Sequence, residues 1–186
     1  MPDPEFLLLG DALWLDFVNT LQGVGGGPDA LPDPAAYLRW TKANRVASPS
    51  DRTAYEDALR FRASLAELAK ALDLGRKPPP SAVEVINARL LTVEGRQRLL
   101  RIAGAWRIRF APARPPTAPE AIALSAAQTL ANPLVFVRRC ANPECGLFFA
   151  DDTPGQGRRW CSANRCGQRG RIERRRTTRA PLLAER

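Results

Sequence analysis

Four cysteines, at positions 140, 145, 161 and 166, are the residues of this chain best suited to chemistry. They fall as C-x4-C, fifteen residues, then C-x4-C, all within 27 positions, and the other 159 residues contain none. Two such pairs joined by a loop of this length supply the four thiolates of a tetrahedral zinc site. The spacing therefore reads Cys140, Cys145, Cys161 and Cys166 as ligands of one structural Zn²⁺. A site closed by four thiolates keeps no open position for a substrate, so the metal would hold together a module too small to build a core. The alternatives are unrelated buried or redox thiols, or two disulfides, the last disfavoured in a reducing cytoplasm.

Equally informative is the absence of histidine. It removes Ser-His-Asp and Cys-His nucleophilic sites, His-carboxylate iron sites and His-bearing zinc sites. Acid–base chemistry near neutral pH would need a perturbed carboxylate, Lys, Tyr or Cys. The chain reads as a non-enzyme. An enzymatic reading would make Asp16 the acid or base, but no second catalytic group can be named.

The elements around the cysteines follow from local sequence. Pro143 and Gly146 flank Cys145, a tight turn whose backbone N–H groups point at thiolate sulfur. Leu147–Phe149 is expected as a strand, Asp151–Gly157 as a turn, and Arg158–Trp160 as the returning strand, with Trp160 over the metal. Ser162 reads as the N-cap of a helix that carries Cys166 in its first turn and runs to about Arg179. Knuckle, hairpin and ligand-bearing helix make a treble-clef-like arrangement.

Charge is concentrated in the same region. The chain carries 28 Lys+Arg against 19 Asp+Glu, a net +9, and residues 138–186 hold twelve arginines against five acids, a net +7. Only three basic residues are lysines. A GC-rich genome explains an Arg bias, but not its concentration at one end. Four thiolates with Zn²⁺ sum to −2, leaving the loaded module at about +5. Arg158, Arg159, Arg165, Arg169, Arg171, Arg174, Arg175 and Arg176 are the candidate nucleic-acid contacts. Arg165, Arg169 and Arg176 share one helical face, and Arg171, Arg174 and Arg175 form its neighbour. Guanidinium suits phosphate and guanine edges, so DNA is the expected partner. The alternatives are a solvated basic tail, or a zinc-stabilised module that binds RNA or an acidic protein.

The preceding sequence is expected to form an α-rich domain with a small β-hairpin, giving an α+β protein divided into residues 1–133 and 134–186. Phe6–Leu21 reads as a short strand turning into a helix, and the glycines after it as a loop. Helices are expected at Pro34–Arg45, from a Ser50 or Asp51 cap to about Leu74, from a Ser81 cap to about Leu91, and at Glu120–Ala131. Leu99–Ile102 and Trp106–Phe110 read as a hairpin, with Trp106-Arg107-Ile108-Arg109-Phe110 alternating like a half-exposed strand. Leu134–Arg138 is a further strand.

Asp16, Asn19 and Thr20 sit in an apolar stretch. They form either part of a ligand pocket or a set of caps and buried hydrogen bonds that fix the turn. Trp14, Trp40 and Trp106 read as core residues. No segment reads as a membrane span, and the acidic N-terminus lacks the basic region of a secretory signal; the expectation is a cytoplasmic protein.

The pattern C-x4-C-x-x-F-F-x-D, then R-R-x-C-S, then C-G-x-R, resembles the CGNR zinc finger found at the C-terminus of bacterial stress-induced transcriptional regulators. Leu15-Asp16-Phe17-Val18-Asn19-Thr20 is similar to the LDFVNT-like start of the ABATE domain that precedes that finger. The resemblance implies a DNA-binding regulator with the four cysteines as zinc ligands. Its N-terminal domain would be sensory or dimerising, with a homodimer as one arrangement and no effector identified. The chain departs from the family at Cys166-Gly167-Gln168-Arg169, where Gln168 stands in place of Asn.

Overall fold

The computed structural model describes residues 6–22, 27–48 and 51–168. Among these, helices α1 (Leu13–Asn19), α2 (Pro34–Ala43), α3 (Arg52–Asp73), α4 (Pro80–Leu90) and α5 (Ala118–Ala131) surround a common core. Two antiparallel hairpins accompany them: β1 (Gly95–Ile102) with β2 (Ala105–Pro112), and β3 (Phe136–Arg139) with β4 (Phe148–Asp151). The class is α+β, as expected, and helix-rich ahead of the cysteines. No helix among the described residues is long and apolar enough to cross a membrane.

At seven residues α1 is too short to persist in water unaided, and no side chain caps its start. Burial holds it. Trp14, Leu15 and Phe17 are fully covered, packed with Phe61, Leu65 and Leu68 of α3 and Ile122, Ala123 and Ala126 of α5. Each such large side chain contributes about 1.5–3 kcal/mol. Phe17 meets Trp40 at 5.0 Å between ring centroids, and Trp14 Nε1 donates to Thr129 Oγ1 at 3.0 Å.

Side chains cap three of these helices, Asp51 as expected, while α5 begins at Ala118, two residues ahead of the expected Glu120. Asp33 accepts from the Ala36 N–H at 2.7 Å and Asp51 from that of Ala54 at 2.9 Å. Thr117 and Glu120 form a capping box on α5. The Ser81 cap is corrected: α4 begins at Pro80, whose fixed φ suits the first helical position, and Ser81 lies inside the first turn.

Phe6–Gly10 is extended but belongs to neither sheet; Gly10 O accepts from the Ala150 N–H at 2.8 Å. Its side chains alternate. Phe6 and Leu8 enter the helical core, while Leu7 and Leu9 pack against the cysteine cluster. β3 and β4 divide in the same way. Val137, Phe148 and Ala150 face the helices, and Phe149 faces the cysteines. This small sheet is a wall with one core on each side, as period-2 side-chain alternation permits.

The β1–β2 hairpin turns through Ala103 and Gly104, both at positive φ (48° and 81°), the handedness that matches strand twist. It was expected to be half-exposed. Instead nearly every residue on both faces is exposed, Trp106 included. The alternation set the strand period correctly, but the apolar side stays largely uncovered and borders Leu90, Val93 and Leu124 at Phe110 and Pro112.

Candidate metal centre

The two cysteine pairs converge. All four thiol sulfurs lie within 4.8 Å of one another, and all four residues are buried. Cys145 and Cys161 are 3.6 Å apart at sulfur, and Cys161 and Cys166 are 3.7 Å apart. Four sulfurs about 2.3 Å from one tetrahedral zinc would be separated by about 3.8 Å. The cysteines are free thiols, far beyond disulfide distance.

Local backbone aims them. The Cys140 N–H donates to Leu147 O at 2.8 Å and the Cys145 N–H to Asn142 O at 2.9 Å, closing the first knuckle. Gly146 turns it at φ +67°, where a Cβ would also run into the Gln22 side chain. Asn142 Nδ2 donates to Cys166 Sγ at 3.7 Å, linking the two knuckles, while its Oδ1 accepts from the Glu144 N–H at 3.1 Å. Ser162 accepts from the Arg165 N–H at 3.3 Å, as expected of the cap before Cys166.

The donor set suits a divalent cation. The hydrogen bond from Cys161 draws the Cys145 pKa down to about 5 against the effect of burial, and the Leu147 N–H assists. The same contact pushes Cys161 well above the usual thiol range, and burial raises Cys166. One thiolate therefore opposes the ionisation of its neighbours until a cation compensates them. A recess beside the cluster, lined by Leu7, Asn142, Cys145 and Cys166 among others, has a volume of about 30 Å³.

The path between the knuckles differs from the expected hairpin. Arg158–Trp160 is not a strand, and β4 pairs backward with β3. The cause is Asp151, fully buried, which accepts from the Thr153 N–H at 3.1 Å, Thr153 Oγ1 at 2.6 Å and the Arg158 N–H at 3.2 Å. Despite burial, these bonds and the Arg138 guanidinium at 3.1 Å hold its carboxyl below the usual range. This loop spends the strand's hydrogen bonds on Asp151. Ala163–Gly167 is a helical turn of the wide π type, capped by Ser162 and carrying Cys166 as expected. Trp160 packs on the cysteine cluster and over Gly167.

The arginines have different surroundings. Arg158 pairs with Asp11, donates to the carbonyls of Trp160 and Cys161, and stacks on Phe149 at 4.5 Å. Arg159 is exposed beside the Trp160 ring, and Arg165 is half-buried at the recess. Arg169, Arg171, Arg174, Arg175 and Arg176, with the expected helix to Arg179, lie outside the described residues. Gln168 is exposed; the amide that reaches a cysteine sulfur belongs to Asn142. Asn142 was missed, although an Asx turn two residues before Glu144 is a readable signal.

Asp16, Asn19 and Thr20 are each engaged in hydrogen bonds. Asp16 accepts from the Gly10 N–H at 2.8 Å. Asn19 bonds both backbone groups of Phe148 at 2.8 Å. Thr20 donates to Phe17 O at 2.6 Å and accepts from the buried Arg62, which also grips Asp29.

Comparison with protein families gives two matches in sequence order. The ABATE model, described as "Putative stress-induced transcription regulator", matches residues 11–133. The CGNR zinc finger model matches residues 137–179. A comparison with curated proteins finds no match. The finger and the four clustered thiols together identify the cofactor as a structural zinc ion.

Proposed function

The chain belongs to the ABATE family and carries a CGNR zinc finger; on that premise we propose that it is a stress-induced transcription regulator that binds duplex DNA through the finger and the arginine run that follows. We assign Cys140, Cys145, Cys161 and Cys166 as the zinc ligands, residues 1–133 as the regulatory domain and residues 134–186 as the DNA-binding module. The observation that carries the reading is the coupling of a zinc clamp to dense positive charge. Residues 158–179 contain nine arginines and one acid, and the Ser162–Cys166 turn anchors that run to the metal site.

Arg159, Arg165, Arg169, Arg171, Arg174, Arg175 and Arg176 contact phosphate or base edges. Arg158 acts as a brace, since its guanidinium is already engaged by Asp11 and two carbonyls. The regulatory domain transmits a signal or pairs two copies in the cytoplasm.

Titration of zinc-loaded protein against random duplex DNA over a salt series tests the reading. Neutralising Z phosphates gives a slope of about −0.9Z in log affinity against log salt. Tight, salt-steep duplex binding that weakens in Arg165→Ala/Arg169→Ala is expected. No binding at low salt, or preference for single-stranded RNA or an acidic protein, overturns it.

A further inference from the structure

We infer that the β1–β2 hairpin is an arm that grips duplex DNA, a second contact remote in sequence from the zinc finger. The inference rests on the DNA-binding reading above and adds a surface to it.

The hairpin is unusual in what it lacks. None of its side chains joins either hydrophobic core. An isolated two-stranded hairpin is at best marginally stable in water, so an element exposed on both faces calls for a partner. Its charge specifies one. Residues 95–112 contain five arginines and no acid, and none of the five is ion-paired to a described residue.

The register places four of them together. Arg98 lies opposite Arg109, and Arg96 and Arg107 fall on the same face one step either side. Like charges directly opposed across a ladder destabilise it, whereas a polyanion turns that repulsion into binding. Side chains two apart along a strand are about 6.8 Å apart, which matches two base-pair steps. A two-stranded ribbon also fits the major groove.

The other face carries Leu99, Trp106, Ile108 and Phe110, with Trp106 67% and Ile108 69% exposed near the turn. In the major groove, apolar side chains at such a position meet thymine methyl groups.

The test compares three full-length, zinc-loaded proteins: the wild type; Arg96→Ser/Arg98→Ser/Arg107→Ser/Arg109→Ser; and a charge-matched control, Lys42→Ser/Arg45→Ser/Arg76→Ser/Lys77→Ser. Because the arm adds nothing to the cores, the arm variant should keep the wild-type melting temperature. Its salt slope should become shallower by about 3–4 units, with duplex affinity at least tenfold lower, while the control changes little. Duplex DNA should also quench Trp fluorescence in the wild type and much less in Trp106→Phe.

Equal losses in the arm variant and the control, or wild-type affinity in the arm variant, would overturn the inference and leave the finger's role standing. So would an arm variant that loses self-association at unchanged DNA affinity, since the partner would then be a second copy. Failure of the wild type itself to bind duplex DNA overturns the functional reading instead.

Discussion

The Asn19 carboxamide pairs with both backbone groups of Phe148, donating to its carbonyl and accepting from its N–H at 2.8 Å each, across 129 residues. It mimics a strand neighbour and fastens the β3–β4 wall to α1. Asn19→Ala strands a buried donor and acceptor and should cost roughly 2–4 kcal/mol. The lower melting temperature should come with faster zinc release to a chromogenic chelator. A stability loss with unchanged zinc release would show that the tether does not reach the metal site.

The bond also shows what sequence could reveal. Asn19 stood out as polar in an apolar run, and buried hydrogen bonding was one of its two expected roles. Its partner could not be named, because a backbone group carries no residue-type signature. The cysteine cluster was fully legible, since four ligands of one type at fixed spacing have few other uses. The loop after β4 was not. Its path depends on Asp151 outcompeting a ladder for N–H groups, and an Asp in a turn looks the same whether buried or exposed. The bare arm was misread for a related reason: alternation reports which face is apolar, not whether anything covers it.

Zinc removal should affect more than the finger. Cys161→Ser should lower the metal content from about one zinc per chain to near zero. Val137, Phe148 and Ala150 contribute to the helical core from the same wall whose other face meets the cysteines. Loss of the metal should therefore lower the melting temperature of the helical part as well. Chelation should shift one cooperative transition. Two independent transitions, with the helical one unmoved, would show that the wall stands without zinc.

Arg62 is 3% exposed and chelates Asp29 through both terminal nitrogens while donating to Thr20 Oγ1. Asp29→Ala leaves a buried guanidinium with one neutral partner. The expected loss is about 2–3 kcal/mol, at the lower end for a broken buried pair because Asp29 itself reaches solvent. Arg62→Met removes the charge while keeping much of the volume, and should cost less. Chemical denaturation of the two variants checks the order, and the reverse order would show that Arg62 contributes mainly through packing.

Asp16 gives the fold a pH dependence of definite sign. Burial, partly offset by the Gly10 N–H, raises its pKa from 3.8 to about 7. A carboxyl raised on folding favours the native state while it is protonated in both states, and that advantage fades as the unfolded chain ionises and the folded one does not. Stability should therefore decline as pH rises from 3.8 towards 7, with a slope approaching about 1.4 kcal/mol per pH unit. Above the folded pKa this contribution levels off. Asp16→Asn keeps an oxygen for the Gly10 N–H and removes the titration, so its stability should be flatter between pH 5 and about 7. Denaturant midpoints of zinc-loaded wild type and variant across that window measure the difference. Parallel curves would mean that the Asp16 carboxylate is solvated well enough to ionise in the folded chain at its ordinary pH.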